Sequence, residues 1–187
     1  MSVIHRGFSL PETLIAMAIS SVLLLGSARF LPSLQRAVLN QTQQQSLENE
    51  LWQRLYTLAK HLQRAGYCHG RCSGEALHIA GSGDCMLLRW DGNSDGVWNA
   101  SPSSESDTTG FRLRDGALET LRGASDCSGK GWEKMTNPAA IKVTTFQITR
   151  QGRTDFSPEL SITLAAQSVA DSRIRAQAEY SVTGYNL

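Results

Sequence analysis

The chain has 187 residues, 41% of them hydrophobic, and a net charge of +1 from 18 basic and 17 acidic side chains. This length allows one domain with an appendage. The near-neutral charge gives no electrostatic reason to bind nucleic acid or an anionic membrane surface, so no nucleic-acid partner is predicted.

An apolar run with one charged residue follows a short basic head at the N-terminus. From Phe8 to Ala28 the only charge is Glu12, and the head before the run contains Arg6 but no acidic residue. About 21 helical residues span about 31 Å, which matches a bilayer core of about 30 Å. The run therefore predicts a single membrane span whose N-terminus is cytoplasmic.

Two ordinary interpretations of this run leave its first residues unexplained. It could be a secretory signal peptide cleaved after Gly26-Ser27-Ala28, or a plain membrane anchor. In a helix that enters from residue 3 or 4, however, Pro11 would lose a hydrogen bond and clash with the carbonyl of Gly7. Cleavage between Gly7 and Phe8 removes this penalty, because Pro11 then lies in the first turn, where no donor is needed.

The residues RGFSLPE (6–12), followed by about 20 apolar residues, resemble the class III signal of type IV prepilins and type II secretion pseudopilins. The usual consensus has Thr and Ile where this chain has Ser9 and Pro11. The resemblance implies that a prepilin peptidase cuts after Gly7 and methylates the amine of Phe8. It also implies that Glu12 neutralises the N-terminus of a neighbouring subunit. Opposite charges are costly apart in hydrocarbon and tolerable together, so Glu12 is predicted to be a subunit-docking group.

The remainder predicts a helix followed by strands. Residues 32–66 have leucines at three- and four-residue spacing, ending at Gly66, which predicts an amphipathic helix packed on its own sheet. Asp115-Gly116 predicts a hairpin turn. Alternating or apolar segments predict strands at 76–80, 85–90, 110–121, 141–150, 160–165 and 173–182. The expected fold is α+β and pilin-like, with a long N-terminal helix on an antiparallel sheet.

Three segments of the head are similar to minor pilins and J/W-type pseudopilins: RAGYC (64–68), LLRWDGNSDG (87–96) and GFRLRDGALE (110–119). The resemblance implies an inner-membrane protein with a periplasmic head, divided into a cleaved leader (1–7), a span (8–31), an amphipathic helix (32–66) and the β-rich head (67–187).

The function implied by this resemblance is structural. The chain would help to initiate a type IV pilus or a type II secretion pseudopilus, with prepilin peptidase, other minor pilins and a major pilin as partners. No enzymatic activity is predicted, because the sequence contains no nucleophile elbow and no phosphate-binding glycine loop. A membrane-tethered periplasmic binding module or enzyme is the alternative.

Four cysteines in an exported head predict two disulfides. Three pairings are possible, and Cys68–Cys72 with Cys85–Cys127 is favoured because the first two residues share a short loop. A zinc site formed by these thiols with histidines is disfavoured, since Cys-x3-Cys is not the usual spacing of a zinc knuckle.

Residues 91–96 match the first half of an EF-hand calcium loop, with Asp91, Asn93 and Asp95 as candidate ligands. Position twelve, however, is Pro102 rather than a bidentate glutamate, and Glu105 is only a distant candidate. The turn chemistry of Asp and Asn explains the same residues without a metal. No cofactor is therefore predicted, and weak calcium binding stays an open alternative.

Overall fold

The computed structural model describes Gly7, residues 9–99 and residues 105–187, and the chain divides into one unit that ends at Thr42 and a second from Gln43 to Leu187. The elements are α1 (Leu10–Arg64), β1 (Leu77–Ile79), β2 (Cys85–Arg89), β3 (Thr108–Arg114), β4 (Ala117–Arg122), β5 (Glu133–Lys134), β6 (Ile141–Arg153), β7 (Phe156–Ser168) and β8 (Arg175–Thr183).

Helix α1 begins at Leu10, so that Pro11 lies in its first turn. A proline at this point costs no hydrogen bond, because the first N–H groups of a helix have no partner. Gly7 and Ser9 are not helical even though the leader is still attached. The expected Pro11 penalty in the uncut chain therefore does not arise, and the prediction of cleavage depends on the sequence motif alone.

The last five turns of α1 bury the predicted leucine stripe. Leu47, Leu51, Leu55, Leu58 and Leu62 are each at most 3% exposed and belong to one core cluster with residues of both sheets. The prediction that this stripe packs on the protein's own sheets is confirmed. The helix ends just before Gly66, whose positive φ of 86° ordinary side chains rarely adopt.

The first sheet has the strand order β1-β2-β3-β4-β5, and every pair is antiparallel. Asp115 and Gly116, with φ of 51° and 75°, make the predicted hairpin between β3 and β4. Its turn meets the second sheet, where the Val143 N–H donates to the Gly116 carbonyl at 2.8 Å. Buried side chains from these strands include Leu77, Met86, Leu88, Phe111 and Leu118.

The second sheet has the order β6-β7-β8, again antiparallel. Leu160, Ile162 and Leu164 alternate toward the core as predicted. The α+β prediction is confirmed, but the strands form two sheets rather than one. Strands β6 and β7 also extend beyond the predicted segments to a tight hairpin, because backbone pairing continues through polar ends that lack an alternating pattern. The two-residue strand β5 was not predicted, since a segment this short has no period.

A buried ion pair fixes the loop that follows β4. Arg112 Nε donates to Glu119 Oε2 at 2.9 Å, and its Nη1 donates to the Cys127 carbonyl at the same distance. The guanidinium also lies 4.2 Å from the centre of the Trp132 ring. Arg112 thus satisfies a carboxylate, a carbonyl and an aromatic face together, which offsets the cost of burying its charge.

Candidate functional site

The N-terminal motif places Glu12 in the first turn of α1. The Ser9 N–H and hydroxyl both donate to Glu12 Oε2 at 3.4 Å, and the Glu12 N–H donates to the Ser9 carbonyl at 3.1 Å. This is one half of a capping box, in which the carboxylate of the third helical residue returns to the backbone N–H of the cap. Glu12 therefore has a partner within its own chain, although these contacts are long and the side chain is exposed.

The described structure around Gly7 leaves room for a side chain. A Cβ built on it would meet nothing within 4 Å in the part of the chain that the structure describes. Phe8, the predicted first residue of the mature chain and methylation site, lies outside the described residues, as does the leader through residue 6. Within the fold itself, Gly7 could be replaced without a clash.

The first half of α1 exposes its apolar side chains. The helix is long and apolar enough to cross a membrane, and none of its most apolar segment is buried by the described residues. Leu24, for example, is 70% exposed, and Ile15, Met17, Leu23 and Leu25 are similarly uncovered. In the last five turns of the same helix the leucines are almost fully buried. The first half therefore needs a covering that its own unit does not provide.

The candidate calcium ligands form a hydrogen-bonded turn. Asp91 is 2% exposed, and its carboxylate accepts three backbone N–H groups at 3.0–3.1 Å, from His69, Asp95 and Gly96. The exposed Asp95 accepts from Asn93, Val97 and Asn99, and these hydrogen bonds lower its pKa. The turn thus accounts for these residues without an ion. Pro102 lies outside the described residues, and Glu105 is exposed.

Asp107 holds the other end of this loop, and the sequence reasoning missed it. It is 4% exposed, and its two carboxylate oxygens accept the N–H groups of Gly92 and Asn99 at 2.9 Å. The Trp90 N–H also donates to its carbonyl at 3.2 Å. Two buried carboxylates, Asp91 and Asp107, therefore organise the loop through backbone donors.

A cavity of about 640 Å³ lies beside this loop, between the end of α1 and the first sheet. His61 lines it, with its ring edge-on to Trp90 and Phe111 at 5.0 Å. Its Nδ1 is buried and has no hydrogen-bond partner among the described residues. Burial and the neighbouring Arg64 lower the pKa of His61, so the ring is held neutral. Histidine spacing in the sequence gave no indication of this group.

The four cysteines form two disulfides, Cys68–Cys72 and Cys85–Cys127. These are the pairs that the sequence analysis favoured. Cys68, Cys72 and Asp91 lie close enough together to suggest a metal site, because their ligand atoms are within 4.8 Å of one another. Both sulfurs are nevertheless in a disulfide, so neither is a thiolate ligand in this state.

Comparison with known proteins gives two family models and one curated relative. Residues 40–184 match the family model described as prepilin peptidase-dependent protein B. The chain belongs to this family. Residues 4–28 match a second model, the prokaryotic N-terminal methylation motif. Prepilin peptidase-dependent protein B of Escherichia coli (strain K12) is 58% identical over 187 residues, which is 100% of both chains. No solved structure matches the chain.

The two family models cover the two parts of the molecule described above. The methylation motif includes Gly7, Glu12 and most of the exposed apolar segment of α1. The prepilin peptidase-dependent protein B model includes the leucine stripe, both disulfides and the Asp91–Asp107 loop. Membership of this family makes the chain a type IV pilin-like protein, in agreement with the resemblance found in its sequence.

Proposed function

We propose that this chain is a minor pilin or pseudopilin, cut by a prepilin peptidase after Gly7, N-methylated at Phe8, and built into a filament-initiating complex. The single observation that carries the proposal is the joining of a methylation motif to a membrane-length helix whose apolar side chains are uncovered. The relative's name, which states dependence on prepilin peptidase, supports the processing step.

Gly7 supports the choice of cleavage point. Nothing in the described structure around Gly7 requires a glycine. A small residue would instead be required by an enzyme that binds the backbone at this position. A peptidase that binds the chain in extended form is such a protein. Substitution of Gly7 by a bulky residue is then compatible with the fold but not with cleavage.

Glu12 supports the docking role, with one refinement from the structure. Its carboxylate contacts Ser9 of its own chain through hydrogen bonds of 3.4 Å, which are weak enough to be exchanged. A neighbouring subunit's charged N-terminus is a stronger partner in hydrocarbon than a neutral hydroxyl. Docking therefore replaces the internal contact with an ion pair between subunits.

The chain is proposed to occupy a position near the filament tip, behind at least one other subunit. A subunit at the extreme tip would have no neighbouring amine for Glu12, and a buried unpaired carboxylate is costly. The described residues outside the strands at 91–99 and 123–132 give the head an uneven polar surface, which suits a low-abundance subunit better than the repeating body of a fibre. Partner minor pilins and a major pilin are the interacting proteins.

The test uses two substitutions of Glu12 in the full chain. Glu12→Ala removes both the charge and the cap, whereas Glu12→Gln keeps an acceptor for Ser9 and removes only the charge. We expect both variants to be inserted and cleaved, to co-purify with fewer minor pilins, and to reduce fibre number more than fibre length. Normal assembly of Glu12→Gln would show that Glu12 only caps its own helix, and normal assembly of both would contradict the docking role.

The alternative function, a membrane-tethered binding module or enzyme, would require a ligand site in the head. The cavity beside His61 is the feature that favours it, because a neutral imidazole with a buried unpartnered nitrogen faces polar and aromatic side chains there. A small molecule that co-purifies with the head and is lost in His61→Phe, with head stability and filament assembly unchanged, would support that alternative.

A further inference from the structure

The two disulfides of the head have different surroundings. Cys68–Cys72 closes a separation of four residues, and both cysteines are half-buried in a loop. Cys85–Cys127 closes a separation of 42 residues. Cys85 lies in β2 and is 4% exposed, and the Cys127 carbonyl is held by buried Arg112. Both cysteines of the first disulfide are half-buried, whereas in the second Cys127 is half-buried and Cys85 is closed off in the strand. A reductant therefore reaches the first disulfide more readily in the folded head.

The sulfurs of the Cys68–Cys72 disulfide are not equivalent. Cys68 Sγ accepts the backbone N–H groups of Cys72 at 3.0 Å and Gly70 at 3.3 Å, and the Gly96 carbonyl oxygen lies 3.7 Å from it. Cys72 Sγ has no such donors among the described residues. Hydrogen bonds to a sulfur favour its thiolate, and a thiol of lower pKa is the better leaving group in disulfide exchange. Cleavage is therefore directed so that Cys68 leaves.

One group opposes a thiolate at this position. The Asp91 carboxylate has an oxygen within 4.8 Å of both sulfurs, and a like charge disfavours a second anion. This carboxylate, however, accepts three backbone N–H groups, which stabilise its charge in place. The two N–H donors lie 3.0 and 3.3 Å from Cys68 Sγ and contact that sulfur alone, whereas the Asp91 oxygen lies within 4.8 Å of both sulfurs. Their contribution therefore decides which sulfur departs.

We propose that Cys68–Cys72 is a thiol–disulfide exchange site whose co-substrate is a thiol, from a small molecule or from a protein dithiol. The incoming thiolate attacks Cys72 Sγ, a new S–S bond forms to Cys72, and the Cys68–Cys72 bond breaks with its electron pair on Cys68 Sγ. A second thiolate of the reductant then attacks the mixed disulfide and releases the Cys72 thiolate. The Cys68–Cys72 disulfide gains two electrons. One protein dithiol, or two molecules of a small thiol, is oxidised to a disulfide.

Opening this disulfide has a local consequence. The Arg71 N–H donates to the Gly96 carbonyl at 3.1 Å, and the His69 N–H donates to Asp91. The five-residue loop thus aligns the backbone donors that hold the Asp91 turn. Reduction loosens this alignment, while the core and Cys85–Cys127 stay intact. The exchange site therefore controls the order of one surface loop and not the fold of the head.

The experiment uses the detergent-solubilised full chain in reduced glutathione, with samples alkylated at intervals and digested with trypsin. Cleavage after Arg71 separates Cys68 from Cys72, and fragmentation of the 72–89 peptide, which contains both Cys72 and Cys85, assigns the label on each of these two. We expect the Cys68–Cys72 disulfide to be reduced at least about tenfold faster than Cys85–Cys127, because more accessible disulfides are the labile ones and Cys85 is buried. We also expect the trapped glutathione to be on Cys72, with the alkyl group on Cys68, while the far-UV circular dichroism stays native.

Each other result overturns part or all of the proposal. Equal reduction rates, or faster reduction of Cys85–Cys127, would show that Cys68–Cys72 is not a selective exchange site. Glutathione trapped mainly on Cys68 would contradict the assignment of Cys68 as leaving group. Loss of the native far-UV circular dichroism together with reduction of Cys68–Cys72 would show that this disulfide is structural. The internal disulfide Cys85–Cys127 is the matched control in the same sample.

Discussion

The two halves of helix α1 contain the same apolar residue types in opposite environments. Leu24, in the first unit, is 70% exposed, whereas Leu55, in the second, is fully buried. A leucine stripe covered by the chain's own sheets contributes to folding, and a run of uncovered apolar residues requires a different covering. One helix is therefore part of a folded core at one end and an unsatisfied apolar surface at the other, which a membrane or neighbouring filament subunits would cover.

The largest expected effect is a difference in the free energy of unfolding between two Leu→Ala substitutions, one in each half of α1. Leu55→Ala should lower the free energy of unfolding of the head by about 2–5 kcal/mol, because it opens a cavity in the core. Leu24→Ala should leave that free energy unchanged. Tryptophan fluorescence during denaturant unfolding in detergent measures it, since all four tryptophans lie in the second unit. Equal destabilisation by both variants would show that the two halves are not distinct.

A smaller effect is expected from pH, through His61. Burial and Arg64 lower its pKa below 6.5 in the folded head, so the folded state favours the neutral ring. The unfolded chain takes up a proton first as pH falls, so the free energy of unfolding should decrease as pH drops below about 6.5. The decrease in the free energy of unfolding should stop once the pH is below the lowered pKa of His61. His61→Phe should reduce this dependence, and an unchanged pH profile in that variant would exclude His61 as its source.

The sequence predicted the elements whose signal is periodic and local. The leucine stripe, the alternation of Leu160, Ile162 and Leu164, and the Asp115-Gly116 turn are each determined by neighbours within a few residues. Every strand pairs with a neighbour in sequence, so the two sheets arise because β5 and β6 do not pair, and no local pattern marks that break.

The same limit applies to the candidate sites. The motif around Gly7 and Glu12 is a contiguous string, so it could be found by reading the sequence. The role of Asp107 depends on donors from Gly92 and Asn99, and that of His61 on aromatic rings brought to it by β2 and β3. Neither group has a fixed spacing to its partners that would mark it in a sequence.

The smallest effect is expected from calcium. The Asp91 and Asp95 oxygens already accept hydrogen bonds within the turn, so an ion would have to displace N–H donors. Weak binding at millimolar calcium stabilises the folded state by mass action and should raise the melting temperature by no more than about 2 °C. Asp95→Ala should abolish any such rise. A rise that persists in this variant would place the ion elsewhere.

The uncovered half of α1 is proposed to belong to a processed, filament-forming subunit. The most direct test is the mass and N-terminal sequence of the mature chain, isolated from cells with and without a prepilin peptidase. We predict a chain that begins at Phe8, carries one methyl group on its amine, and is present only with the peptidase; Gly7 replaced by a bulky residue should leave the precursor uncut. A mature chain that begins at Arg29, or an identical N-terminus without the peptidase, would contradict the account.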